Sequence, residues 1–193
     1  LENNVISPLY LAKAPANPLL MTDAAEIVRF MKEVDRPNVG FLIDTGAEKV
    51  FMVDEQGKRI PNEAALLMVA DLALKEHPRG TLAVPVNISG AIDQLAKKHH
   101  ATVKRIRTAP RYIMEASREP HVTFVGDGVG GFIFPKFQPC FDAMFAIVKI
   151  VELMARHQVK LNEVAGEVPD FETFHQKIPC SWDRKGLVMR RAI

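Results

Sequence analysis

Residues 44 to 49, with the sequence DTGAEK, carry acidic groups at a spacing that suits a divalent cation. The alternate positions are Asp44, Gly46 and Glu48, and alternate side chains of a tight loop can converge on one ion. Magnesium prefers carboxylate oxygens, but Gly46 has no side chain, and Glu48 loses more rotamer freedom than Asp when it is held in place. The stretch is either an altered metal loop or a polar turn, because Asp and Gly are common turn residues.

A second candidate is the glycine-rich stretch FVGDGVGGF at residues 124 to 132. Its glycines allow a ligand to approach the backbone closely, and their amides could receive a phosphate or sugar hydroxyls. Asp127 could accept hydrogen bonds from hydroxyls. The glycine spacing departs from the dinucleotide fingerprint, and the stretch runs into a strand and not a helix. The alternative interpretation is a flexible hairpin turn.

The basic stretch KKHHATVKRIR, residues 97 to 107, has no interleaved aromatic residues. This composition favours a solvated helix end followed by a strand. His99 and His100 have no acid nearby at metal-ligand spacing, and nothing in the sequence supports a phosphate contact by Arg107.

Hydrophobic periodicity places these stretches on alternating strands and helices. Strands are predicted at residues 39–45, 49–54, 58–60, 81–86, 102–108, 121–126 and 130–135, with another starting near Lys177. Helices are predicted at 22–34, from Pro61 to about 77, from a Ser89 N-cap to about 99, from Pro110 to 117, from an Asp142 cap to about 157, and as a short helix in the tail. The alternation predicts an α/β fold, a layered and mostly parallel sheet with helices on both faces.

The composition narrows the class of protein. With 193 residues, 48% hydrophobic and 25% charged, the chain is predicted to be soluble and to form one sizeable core and part of a second. A net charge of +2 is too small to indicate a nucleic-acid or anionic-membrane partner. Charged residues interrupt the longest apolar stretch, residues 141–155, so it is not predicted to span a membrane. The first residues do not read as a signal peptide.

The two cysteines, Cys140 and Cys180, match no metal-ligand spacing. They are predicted to be reduced thiols of a cytoplasmic protein. Because the chain starts at Leu1 without an initiator methionine, we expect it to be a piece of a longer protein.

In their order along the chain, these stretches resemble the α-D-phosphohexomutase family, the phosphomannomutase and phosphoglucomutase enzymes. The family has an apolar strand, a metal loop D-G-D-G-D-R and then x-x-V-D-E-x-G-x-x-I, where residues 41–60 read FLIDTGAEKVFMVDEQGKRI. Its Arg-Thr-x-x-Gly turn is similar to RTAPRYIMEA, and its sugar loop G-G-E-x-S-G-G/H is similar to VGDGVGGF. Further resemblance lies in PANP, DAMFAIVKIVELM and IPCSWDRKGLVMR.

The resemblance implies a four-domain protein. On this map residues 1–37 end the second domain, 38–157 form the third and 158–193 begin the fourth. The first domain, with its phosphoserine nucleophile, and the last phosphate-binding loop lie outside these residues. The family's cofactor is Mg²⁺, for which Asp44 and Glu48 would be the remaining ligands. Lys49, Asp127, Gly128 and Gly130 would contact the sugar or its phosphate.

Several positions depart from the family pattern at the residues that would do chemistry. The second and third metal-loop acids are Gly46 and Glu48, the loop Arg is Lys49, the sugar-loop Glu and Ser are Asp127 and Val129, and the Gly of the Arg-Thr turn is Pro110. Lost carboxylates remove charge, Val offers no side-chain hydrogen bond, and Lys lacks the planar fork of Arg. The departures predict an active-site relic on an intact scaffold, with magnesium bound weakly or not at all.

Three functions are compatible with these observations. The favoured one is a non-catalytic mutase-like region with a structural or sugar-phosphate-sensing role, whose partners are a hexose phosphate and the remaining domains of the parent. The ending CSWDRKGLVMR resembles mutase-like regions fused to sugar-nucleotidyltransferase domains. The alternative is the central part of an active phosphohexomutase that moves phosphate between C1 and C6 of a hexose. The third, an α/β domain unrelated to sugars, is the least favoured.

Overall fold

A computed structural model describes residues 39–169 and 179–192 of the chain. The strands in these ranges are β1 Gly40–Ile43, β2 Val50–Val53, β3 Thr81–Pro85, β4 Thr102–Ile106, β5 Val122–Gly126 and β6 Phe132–Ile133. The helices are α1 Asn62–Glu76, α2 Ala91–Lys98, α3 Pro110–Ser117, α4 Ala143–His157, α5 Leu161–Glu167 and α6 Trp182–Ala192. None of these helices combines the length and the apolar character needed to cross a membrane. The helix predicted at 22–34 and the strand predicted near Lys177 lie outside the described residues.

A four-stranded sheet with the order β4-β3-β5-β6 forms the centre of the fold. The first three strands are parallel and β6 is antiparallel to β5. Helices α2 and α3 provide the crossovers that parallel strands require. The expectation of an α/β fold with a mostly parallel sheet is therefore confirmed.

Helices cover both faces of this sheet. Leu82, Phe124 and Phe132 pack in the larger core with α1, α2, α4 and α5. Ala83 and Val125, one position along their strands, pack in a second core with α3. Adjacent strand residues point to opposite faces, so strands with apolar residues at consecutive positions must be covered on both sides.

Helix α1 is apolar on all sides because other elements surround it. Residues 65–74 are all buried, and they contact β5, the β1–β2 hairpin and three other helices. An evenly apolar helix is stable only inside a layered core. The one charged residue in this run is Asp71, which is fully buried.

The local signals at helix starts were correct for α1, which Pro61 directly precedes, and for α3 and α4. Pro110 occupies the first turn of α3, and Asp142 caps α4 by accepting a hydrogen bond of 2.9 Å from the Phe145 N–H. The predicted Ser89 N-cap is wrong, because α2 is capped by Gly90. The Ser89 N–H instead donates to the Glu63 carboxylate at 2.7 Å, which ties this loop to the start of α1.

The predicted return at residues 58–60 is present as a short antiparallel pairing and not as a full strand. Val53 and Arg59 form one bridge, and the Asp54 N–H donates to the Lys58 carbonyl and the Ile60 N–H to the Met52 carbonyl, each at 2.9 Å. The Asp54 carboxylate accepts hydrogen bonds from the Gln56 and Lys58 N–H groups and closes a tight turn. Pro61 follows at once, and it has no N–H to extend the pairing.

Glu55 connects this turn to a helix more than a hundred residues later. Its carboxylate accepts hydrogen bonds from the first backbone N–H groups of α5, those of Leu161 at 2.5 Å and Asn162 at 3.1 Å. A carboxylate at this position satisfies unpaired donors and complements the helix dipole. The motif VDEQG therefore supplies a turn and a distant helix cap.

We expect Glu55→Ala to lower the free energy of unfolding by about 1–2 kcal/mol, the usual loss for a helix cap in a partly buried position. Glu55→Gln, which keeps one acceptor oxygen, should lose less. Urea denaturation followed by circular dichroism measures both variants. Gln56→Ala, at the exposed neighbouring position, is the matched control, and an equal loss in that control would contradict the capping role.

Candidate functional site

A cavity of about 600 Å³ lies where the carboxyl ends of β3, β4 and β5 meet. Parallel strands place their carboxyl ends on one sheet edge, which is where α/β proteins usually bind ligands. Five loops or loop–helix junctions form the walls. The residues that line them include Glu48, Lys49, Asn87, Thr108, Pro110, Asp127, Val129 and Cys140. The loop at residues 44–49 and the glycine-rich loop at residues 124–132 thus share one cavity.

The loop at residues 44–49 is closed by its own first side chain. The Asp44 Oδ1 atom accepts hydrogen bonds from the Glu48 N–H at 2.8 Å and the Lys49 N–H at 3.0 Å. Ala47 adopts a left-handed conformation with φ of 52°, and its carbonyl accepts a hydrogen bond of 2.8 Å from the Ala143 N–H at the start of α4. The loop is therefore held in a defined shape with Glu48 and Lys49 at the cavity.

Gly46 occupies the position from which a third acidic side chain would enter this loop. A Cβ atom at Gly46 would lie 3.9 Å from Asp44 Oδ2 and 3.8 Å from Glu48 Cδ, both ordinary contact distances. A side chain at position 46 would therefore lie beside those of Asp44 and Glu48. The backbone at Gly46 leaves room for a side chain that the sequence does not supply.

The residues present do not fit a magnesium site of the kind implied by the family resemblance. One oxygen of Asp44 accepts hydrogen bonds from the loop backbone. Gly46 has no side-chain oxygen that could bind a metal ion. Within residues 39–169 and 179–192, no group of three His, Cys, Asp or Glu side chains is arranged to hold a metal ion. Waters or a substrate phosphate would have to complete the octahedral coordination that a third acid of the loop supplies in the family pattern.

Asp127 plays a similar closing role in the glycine-rich loop. Its Oδ1 atom accepts hydrogen bonds of 2.8 Å from the N–H groups of Val129 and Gly131. Burial raises the pKa of Asp127, while those two N–H groups and the charge of Lys49 only partly oppose the rise. The carboxylate is thus a loop brace on the wall of the cavity.

Two of the glycines are required by the packing of this loop. Gly128 has φ of 76°, and a Cβ there would lie 2.3 Å from Ile88 Cδ1. Gly130 has φ of 102°, and a Cβ there would lie 2.9 Å from the Val50 carbonyl oxygen. Neither contact can be relieved without moving the backbone or the core. These glycines therefore have structural roles, and their ligand contacts stay predictions.

The two loops are joined directly. Lys49 and Gly131 form an antiparallel bridge, and the Val50 N–H donates to the Gly130 carbonyl at 2.8 Å. Of the six residues predicted for the site, this arrangement brings Glu48, Lys49 and Asp127 onto the cavity wall. Asp44, Gly128 and Gly130 shape the loops behind it.

A buried ionic cluster around Asp71 of α1 was not predicted from the sequence. Asp71 accepts a hydrogen bond of 2.7 Å from His99 Nε2 and lies 2.9 Å from Lys75 Nζ. Although no acid is near His99 in sequence, Asp71 contacts it in space. A single acid inside the apolar run AALLMVADLAL was the available signal, because buried carboxylates are almost always paired.

Comparison with known proteins places these loops in a family context. Residues 61–171 match the family model described as phosphoglucomutase/phosphomannomutase, alpha/beta/alpha domain III. A phosphoglucomutase/phosphomannomutase of Thermococcus kodakarensis is 31% identical over 153 residues, 79% of this chain and 34% of that protein. A Pyrococcus horikoshii protein named "Probable phosphoglucosamine mutase" is 29% identical over 80% of this chain and 34% of its own length.

A solved structure supports the fold. The phosphoglucomutase/phosphomannomutase family protein of Burkholderia thailandensis superimposes with a TM-score of 0.67 at 16% identity, over 77% of this chain and 32% of that one. The chain therefore spans about a third of the length of the relatives it matches. From the family match over more than half of its residues, the chain belongs to the phosphoglucomutase/phosphomannomutase family and contains its alpha/beta/alpha domain III.

Proposed function

We propose that this chain is a sugar-phosphate-binding region of a phosphohexomutase-like protein and does not catalyse phosphoryl transfer by itself. The observation that carries the proposal is the shared cavity, in which the loop holding Lys49 is bonded to the loop holding Asp127, while position 46 lacks a carboxylate. The cavity volume, about 600 Å³, is in the range of small-molecule sites. It is large enough for one hexose phosphate.

The roles of the side chains follow from their chemistry. The Lys49 ammonium would contact the phosphate as a point charge. Asp127, whose Oδ1 is engaged by the backbone, would accept hydrogen bonds from sugar hydroxyls through Oδ2. Val129 stands beside it without a hydrogen-bonding group. Binding without metal-assisted chemistry is the behaviour that this set of groups supports.

Other features of the parent protein are part of the proposal. Residues 1–37, 38–157 and 158–193 would end the second domain, form the third and begin the fourth, although the matched domain III segment runs from 61 to 171. The ending CSWDRKGLVMR supports a parent that also carries a sugar-nucleotidyltransferase domain. We place it in the cytoplasm, in contact with its own remaining domains and with no nucleic acid or membrane.

Titration with glucose 1-phosphate and mannose 6-phosphate, followed by NMR shifts of the two loops, tests the binding. We expect saturable binding in the absence of magnesium, weakened about fivefold or more in Lys49→Gln, because a phosphate contact to a cation is lost. Lys58→Gln, an exposed lysine at the end of the same hairpin, is the matched control. Unchanged loop signals at millimolar ligand would refute the proposal.

The alternative, an active mutase with an unusual metal loop, is favoured by one observation: Glu48 lines the cavity and the Asp44 turn is intact. In that case the parent would show conversion of hexose 1-phosphate to 6-phosphate when magnesium is added. The parent's N-terminal sequence separates the two cases cheaply. A Thr-Ala-Ser-His-Asn-Pro-like loop there would favour the active enzyme.

A further inference from the structure

A second cavity, of about 230 Å³, lies away from the candidate site. It is lined by the end of α1, the first half of β5, the segment after β6 and the middle of α4, and it shares no lining residue with the larger cavity. Of the stretches compared with the family above, DAMFAIVKIVELM contributes Phe145, Lys149 and Leu153 to its lining. The residues that line this cavity combine aromatic rings with cationic groups, a combination that suits an aromatic ligand with negative charge.

One wall of this cavity consists of phenylalanine rings. Phe137 and Phe145 are stacked with their centroids 3.7 Å apart and their planes at 4°. Phe134 packs edge-on against Phe145 at 6.0 Å. Phe137 is 56% exposed, so much of its ring surface is open to a ligand in the cavity that it lines. A flat apolar ligand in the cavity would cover part of this surface.

The rim of the cavity is cationic. The side chains of Lys136 and Lys149 and the ring of His77 line it, and His77 Nε2 lies 3.2 Å from Lys136 Nζ. Lys149 is paired with Glu152 at 2.8 Å. Lys136 has no carboxylate within ion-pair distance among the residues that the structure describes.

The acid on the rim, Glu76, is engaged elsewhere. It forms an ion pair with Arg156, so it does not neutralise the lysines. Burial lowers the pKa of His77, and the charges of Lys136 and Lys149 lower it further against the opposing effect of Glu76. A neutral His77 ring can accept a hydrogen bond from Lys136, which leaves the other ammonium donors available to a ligand.

We propose that this cavity is a second binding site, for a small aromatic anion that carries one ring and one carboxylate or phosphate group. The ring would lie against the phenylalanine wall and the acidic group would contact Lys136. A volume of about 230 Å³ accommodates one six-membered ring with one such group and is small for a nucleotide. The proposal is independent of the hexose-phosphate function of the larger cavity.

Benzoate and phenyl phosphate are the probes, titrated into the 193-residue chain with NMR detection. We expect saturable shifts of Phe137, Phe145 and His77 for at least one probe, with a Kd of about 1 mM, as befits a ligand of so few atoms. The bound anion should also raise the pKa of His77, because it offsets the two lysines. If only benzoate shifts these residues, the group recognised is a carboxylate, and if only phenyl phosphate does, it is a phosphate.

Further probes and variants separate the two parts of the proposal. Benzyl alcohol, cyclohexanecarboxylate and inorganic phosphate should each bind at least about fivefold more weakly than the better aromatic anion. Lys136→Gln should weaken that anion by a similar factor, whereas Lys97→Gln, an exposed lysine of α2, should not. Four results would overturn the proposal. They are no shifts at 10-fold excess over about 1 mM, equal binding of benzyl alcohol, shifts confined to Lys49 and Asp127, and unchanged affinity in the Lys136→Gln variant.

Discussion

Replacing Gly46 by Asp is expected to strengthen magnesium binding by the loop at residues 44–49. The new carboxylate would enter between Asp44 Oδ2 and Glu48, where a Cβ meets only ordinary contacts. Three carboxylates around one divalent ion raise its affinity by charge and by number of ligands. We expect magnesium to bind about 10- to 100-fold more tightly than to the unchanged chain, measured by calorimetry or by NMR shifts of residues 44–49.

Gly46→Asn is the matched control, because it adds a side chain of the same shape without the charge. The unchanged chain is expected to bind magnesium weakly or not at all. Two results would contradict this account. Micromolar binding to the unchanged chain would mean that Asp44 and Glu48 are sufficient ligands, and equal affinities of the Asp and Asn variants would mean that position 46 does not face the ion.

The turns were predictable from sequence because their chemistry is local. In the loop at residues 44–49 and in the glycine-rich loop an Asp accepts hydrogen bonds from N–H groups two to five residues further on. Such contacts depend only on nearby residue types. The starts of α3 and α4 follow the same rule. These local signals, repeated between apolar runs, were sufficient to predict the strand–helix alternation and hence the layered fold.

Contacts between distant residues could not be predicted in this way. Ser89 has the side chain of an N-cap, but its N–H is held by Glu63, 26 positions earlier, and Gly90 takes the cap. The carboxylate of Glu55 caps a helix 106 positions later. No spacing rule encodes either pairing, because each depends on how the layers pack once the sheet has formed.

The candidate site was predictable in part, because some of its features are local to one loop and others are not. The residue types of each loop could be interpreted one loop at a time, and parallel strands bring their carboxyl ends to one edge. Which side chains line the cavity depends on the orientation of each loop. The sequence therefore could not show that Glu48 and Lys49 face the cavity while Asp44 closes the loop behind them.

The buried cluster around Asp71 shows how strongly the fold depends on one ionised group. Asp71 is fully buried, with His99 and Lys75 at hydrogen-bond and ion-pair distances and Lys98 3.8 Å away. Glu167 of α5 contacts both lysines. Burial disfavours the charge of Asp71, but the hydrogen bonds from His99 and Lys75 outweigh it and hold its pKa below the ordinary value.

We expect Asp71→Asn to lower the free energy of unfolding by about 2–4 kcal/mol at pH 7, because it leaves the ammonium groups of Lys75 and Lys98 without this carboxylate. Glu115→Gln, which removes an exposed pair with Arg111, is the control and should cost less than about 1 kcal/mol. The lowered pKa means that the unfolded chain takes up the proton first as the pH falls. The stability that Asp71 contributes is therefore complete above about pH 4 and is lost as the pH drops through the folded-state pKa. Urea denaturation at pH 7 and near pH 3 should show the difference between the unchanged chain and Asp71→Asn shrinking at the lower pH, and a constant difference would mean that packing, and not charge, accounts for the effect.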